Sequence, residues 1–152
     1  MSLKEKLQSD LTDSMRNRDE IRSSTLRMIL TAIKNEEVSG KEARELNDAE
    51  LITVLSREAK KRREAAEAFD QAGAKDRGDT ERAEGFIIAE YLPKQLSEDE
   101  IRGLISSAIR ETGASSPSQM GLVMKSLQPK IAGKADGALV SSLVKAALAG
   151  GN

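Results

Sequence analysis

Chemistry in this chain has to come from lysines, arginines, carboxylates and hydroxyls, because it contains no histidine and no cysteine. That removes the commonest general base, the commonest soft metal ligands and the thiol nucleophile. What stands out instead is a lysine set near the C-terminus. From Gly113 onward there are four lysines, Lys125, Lys130, Lys134 and Lys145, against a single acid, Asp136, a local charge of +3. The residues before it hold 20 basic and 24 acidic side chains, so the net charge of −1 hides a C-terminal segment of opposite sign. Such lysines can meet phosphates, and backbone amides around Gly133 and Gly137 can add contacts at a helix N-terminus. Lys125, Lys130, Gly133, Lys134, Gly137 and Lys145 are therefore the candidate RNA-contacting residues. Ordinary solubility would use the same lysines, and composition does not choose between the two.

The densest basic run is elsewhere, at Lys60-Lys61-Arg62-Arg63. It can be a phosphate patch or a solvated helix face. The second reading is favoured, because Glu58/Arg62, Lys60/Glu64 and Arg63/Glu67 are all spaced to pair one turn apart. Ser126 and Lys130 have the spacing of a serine–lysine dyad, but Pro129 is expected to interrupt that helix. There is no Walker loop, dinucleotide fingerprint or nucleophile elbow. No cofactor and no metal are expected, nor catalysis by the chain alone. Phe69, Phe86 and Tyr91, the whole aromatic complement, each fall on a helical apolar seam and read as core, which leaves no platform for stacking bases.

The elements that must position these residues are helices. Charged residues make up 32% and aromatics 2% of 152 residues, with Ala, Leu, Glu, Lys and Arg abundant. Leu3, Leu7, Leu11 and Met15 form one helical stripe. After a polar break at Asn17–Glu20, Ile21, Met28, Ile29, Ala32 and Ile33 form another, ending near Gly40. Asn47 or Asp48 is placed to cap a long helix over 49–71. Gly73–Gly78 reads as a turn and 79–91 as a fourth helix, stopped by Pro93. Ser97 and Glu100 match a capping box that opens a helix ending at Gly113. Ser116-Pro117 opens the next. The stretch Met120–Leu148 is apolar at helical spacing twice, around a Pro- and Gly-punctuated turn that holds the lysines. The expected architecture is all-α: an N-terminal antiparallel helical domain of about four helices over 1–92, and a small three-helix module over 97–152. No apolar run reaches the roughly 20 residues needed to span a bilayer, Met1–Leu11 lacks a signal-peptide core, and a cytoplasmic location is expected.

Several stretches are specific enough to compare with known families: Leu26–Val38 (LRMILTAIKNEEV), Glu58–Phe69, Tyr91–Leu96 (YLPKQL), Met120–Leu127, the GKADG of Gly133–Gly137, and Val140–Lys145. In these the chain resembles the YqeY-like family, whose domain also forms the C-terminal tail of the B subunit of the glutamyl-/aspartyl-tRNA amidotransferase. The resemblance implies a two-part helical fold and a link to tRNA-dependent amidotransferases. There the tail is associated with holding the tRNA, while the amide-forming, ATP-using chemistry lies in domains missing here. A carbon–nitrogen ligase label with glutamine as amido donor would be inherited from that larger enzyme. The expected partners are tRNA and aminoacyl-tRNA synthetase or amidotransferase components, with no membrane. Lys134 stands where arginine is expected as often, and lysine gives up bidentate phosphate geometry. A helical protein-interaction module without RNA is the alternative.

Overall fold

The structure, a computed structural model, describes residues 1–150, and every regular element among them is helical. The fold is all-α. Seven α-helices follow one another: α1 (Leu3–Arg16), α2 (Glu20–Glu37), α3 (Asp48–Gln71), α4 (Lys75–Ala89), α5 (Glu98–Thr112), α6 (Met120–Ile131) and α7 (Gly137–Gly150). A 3-10 turn at Pro117–Gln119 leads into α6. The chain divides into two compact units, Met1–Leu92 and the residues from Pro93 onward.

In the N-terminal unit the helix starts are fixed by side chains that satisfy otherwise unpaired amides. Ser2 with Glu5 and Asn47 with Glu50 form capping boxes, and Asp19 accepts from the Arg22 amide. Leu7, Leu26, Ile29, Ile33, Leu51, Leu55 and Ile88 are fully buried together. Each such side chain contributes roughly 1.5–3 kcal/mol relative to exposure. The long pair α3–α4 is turned by Gly73, whose φ of 75° is a left-handed conformation that glycine adopts without strain. Here the expected boundary shifts: α4 starts at Lys75, so Gly78 is inside a helix and not part of a turn. It is buried beside Ala66, and a Cβ there would run into the Asp70 carboxylate, so glycine lets the two helices approach.

Other expectations are corrected by geometry. α2 stops at Glu37 with Val38 as its last cap, and Gly40 is not the left-handed terminator. Ile21 is half exposed, because it lies five residues before Leu26, roughly 140° round the helix from the core stripe. Phe86, read as core, is 73% exposed. Phe86, Ile87 and Ile88 step round α4 at about 100° each, so they cannot all face inward, and the two isoleucines hold the buried positions. Tyr91 does pack in the core, with its hydroxyl donating to Asp10 at 2.6 Å.

The C-terminal unit buries Ile101, Ile105, Ala108, Val123, Leu127, Ile131, Val140, Val144 and Leu148 between α5, α6 and α7. The Ser97–Glu100 capping box is formed, and Gly113 ends α5 in the left-handed region at φ 70°. Pro129 does not break its helix. α6 runs on to Ile131, whose burial holds the last turn on the core despite the backbone bond the proline cannot make and its crowding of the carbonyl four residues back. Val140, Val144 and Leu148 hold the core line of α7, leaving Leu139, one step round, 40% exposed.

Candidate nucleic-acid interface

The α6–α7 connection is built as a defined turn. Ala132 has φ −55° and ψ 120°, Gly133 has φ 73°, and the Lys134 amide donates to the Ile131 carbonyl at 2.8 Å. That is the geometry of a type II turn, which requires glycine or asparagine at its third position. Gly133 is therefore needed for its backbone. The segment leading into α5 folds back over this turn. Gln95 Nε2 donates to the Gly133 carbonyl at 2.8 Å, and the Leu96 amide donates to the Lys134 carbonyl at 2.8 Å. The YLPKQL and GKADG stretches, far apart in sequence, thus form one clasp.

The clasp brings Lys94 to the same loop pair as Lys134. Lys94 is exposed, and residue spacing does not single it out although it lies inside YLPKQL; only the backbone bonds of its neighbours reveal its place. Lys130 sits in the last turn of α6 with its ammonium 3.9 Å from Glu111. Lys125, five residues earlier, lies roughly 140° round the helix from it, so the two lysines flank α6 on different sides. Lys145 is exposed in the middle of α7. Among the described residues, Lys94, Lys125, Lys134 and Lys145 make no ion pair.

The amides are less available than the lysines. Asp136 Oδ1 accepts from the Ala138 amide at 3.1 Å and its carbonyl accepts from Val140, starting α7. A carboxylate at that place satisfies one amide that a phosphate would use and adds negative charge there. Gly137 beside it is exposed, with open space around its Cα.

The denser basic run on α3 is differently placed. Lys61 pairs with Glu58 at 3.3 Å, Lys60 with Glu64 at 4.0 Å, and Arg62 with Glu58, Glu81 and Glu84 at 3.3–3.5 Å. Arg62 is drawn into the α3–α4 seam, with three carboxylates around one guanidinium. Only Arg63 of the four makes no ion pair among the described residues. Ser126 and Lys130 share one helix after all, one turn apart, and the ionic partner of Lys130 is Glu111. Among the described residues no three His, Cys, Asp or Glu side chains come together as a metal site, and no helix is long and apolar enough to cross a membrane.

The chain is thus helical and in two compact units, the second carrying a lysine-bearing turn clasped by the segment before it. The family model described as "Yqey-like protein" matches residues 4–148, and the chain belongs to the YqeY-like family. It is 30% identical over 147 residues to Altered inheritance of mitochondria protein 41, mitochondrial, of Lachancea thermotolerans, covering 93% of this chain and 76% of that one. To the protein of the same name in Clavispora lusitaniae it is 29% identical over 129 residues, covering 83% and 74%. An uncharacterised Schizosaccharomyces pombe protein is 30% identical over 91 residues, covering 60% and 72%.

Proposed function

We propose that this chain is a tRNA- or aminoacyl-tRNA-binding adaptor related to the tRNA-dependent amidotransferases, contacting RNA through the C-terminal unit and performing no amide-forming chemistry by itself. The observation that carries the reading is the contrast in ion pairing. Among the described residues, four of the five lysines after Pro93 make no ion pair, whereas the denser run at Lys60–Arg63 is largely bridged to glutamates. An unpaired lysine offers its full charge to a phosphate; a bridged one must first surrender a partner. Partners would include aminoacyl-tRNA synthetase or amidotransferase components. tRNA occurs in the cytosol and in mitochondria, so both the cytoplasmic expectation and the mitochondrial names of the relatives are compatible with this role.

A protein-docking role without RNA competes with it, and the exposed Phe86 is the observation in its favour. Salt separates the two. Neutralising about three phosphates gives a log–log slope of roughly −2 to −3 for the binding constant, while apolar docking is nearly insensitive to salt. The test is a titration of the full chain with total tRNA at several salt concentrations. Absence of binding even at low salt would reject the adaptor reading.

A further inference from the structure

Most arginines of the N-terminal unit are committed to carboxylates, including Arg16, Arg22, Arg44, Arg57, Arg62 and Arg82. Two that are not committed line the same open concavity, of about 610 Å³, between the end of α1 and the first turns of α2. Its walls are Met15, Arg18, Glu20, Ser23, Ser24 and Arg27.

Neither Arg18 nor Arg27 makes an ion pair among the described residues. Arg27 spends one N–H on the Met15 thioether, at 3.2 Å, a weak acceptor that leaves four of its five donors. Ser23 is buried, its hydroxyl bonded to that of Ser14 at 2.9 Å, and Ser24 donates to the Ile21 carbonyl. The serines are thereby fixed as neutral walls. Glu20 is the single carboxylate of the lining, so the concavity carries a net charge of +1 from its own side chains.

Arg18 is also the one described residue other than glycine with positive φ, at 56°. It follows the α1 cap Asn17 and closes that helix: its amide donates to Met15 and that of Asp19 to Ser14. Glycine is the usual occupant of such a left-handed closing position because any Cβ there is strained. Here the strained position holds a guanidinium instead, on the wall of a cavity shared with a second one.

We propose that this concavity binds a phosphate group, with Arg18 and Arg27 as its two cationic arms. Charge-assisted bonds from two guanidiniums suit a phosphate better than any neutral ligand. The concavity is open to solvent, so the phosphate can belong to a free mononucleotide-like metabolite or to the backbone of an RNA. The site is independent of the lysines in the C-terminal unit.

The test titrates the full chain with AMP and with adenosine by calorimetry. AMP binds and adenosine does not; Arg18→Gly and Arg27→Gln each weaken AMP by about tenfold or more, the cost of a lost charge-assisted bond. Arg18→Gly at the same time raises Tm by a few degrees, since it relieves the left-handed strain. Lys130→Ala with Lys134→Ala leaves AMP binding unchanged. Competition by total tRNA against AMP on the parent chain identifies RNA as the phosphate source, and no competition identifies a small metabolite. AMP binding no tighter than adenosine, or unaltered in both arginine variants, overturns the proposal.

Discussion

Gln95 holds Gly133: its Nε2 donates at 2.8 Å to the Gly133 carbonyl and at 2.8 Å to that of Pro93, bridging the entry to α5 and the α6–α7 turn. The turn that carries Lys134 is therefore held from outside as well as by its own type II hydrogen bond. Removing either support tests how much it matters. Gln95→Ala should cost about 0.5–1 kcal/mol, the net worth of an exposed hydrogen bond. Gly133→Ala should cost about 1–2 kcal/mol, because an L-residue is forced to φ 73°. Urea unfolding followed by circular dichroism measures both. Equal stability of Gly133→Ala and the parent would mean the turn readily adopts another form.

The clasp also determines where the C-terminal unit can be cut. A fragment from Ser97 retains the capping box but loses Gln95 and the Leu96 amide. A fragment from Pro93 keeps them. We expect the longer fragment to be helical and to unfold cooperatively, although about 60 residues is near the lower limit for a lone core. The Ser97 fragment should unfold at lower urea concentration. Coil signal from both would mean that the N-terminal helices complete this core.

Acid should act on the N-terminal unit. Glu37 is buried against α1, accepting from Lys4 Nζ at 2.9 Å and from the Leu46 amide. The Lys4 ammonium, with that amide, holds its carboxyl below the ordinary value near 4.5. Glu90 is lowered by its fork to Arg22, and Asp70 by its fork to Arg82. The folded-state values are depressed, so this stabilisation is fully present above the unfolded carboxyl values. It is lost as pH falls through the folded ones. Stability should therefore hold from pH 7 to about 5 and fall below about pH 4. Tyr91, the single tyrosine, sits in this unit and reports it by fluorescence. Glu37→Gln should flatten the acid limb, and an unchanged limb would remove Glu37 from the explanation.

Much of this fold is legible in residue spacing because caps and stripes are local. Ser97–Glu100, Asn47 and Gly113 act where the sequence places them, since a cap needs only its own first turn. What spacing does not decide is which members of a crowded apolar run turn inward. Phe86, Ile87 and Ile88 compete for one face, and only the neighbouring helices settle the outcome. Pro129 departs from expectation for a related reason: its local cost is outweighed by the burial of Ile131 in the core, a tertiary contact that spacing does not reveal. At the candidate interface, lysine types are readable but their grouping is not. Lys94 joins Lys134 through backbone bonds that no periodicity announces, while Lys125 and Lys130 diverge around α6.

The adaptor reading is tested most directly by the salt dependence of tRNA binding in two paired-lysine variants of the full chain. Lys94→Ala with Lys134→Ala removes two lysines that share the clasp and make no ion pair among the described residues; Lys60→Ala with Lys61→Ala removes two from the bridged run on α3. Each phosphate that an exposed lysine no longer neutralises lowers the salt slope by about one and weakens binding across tRNA sequences alike. The clasp pair should weaken binding and flatten the slope by about two, while the α3 pair changes little and both variants stay fully helical. The reverse ranking, with the α3 pair dominating, would contradict the claim that the C-terminal unit holds the RNA.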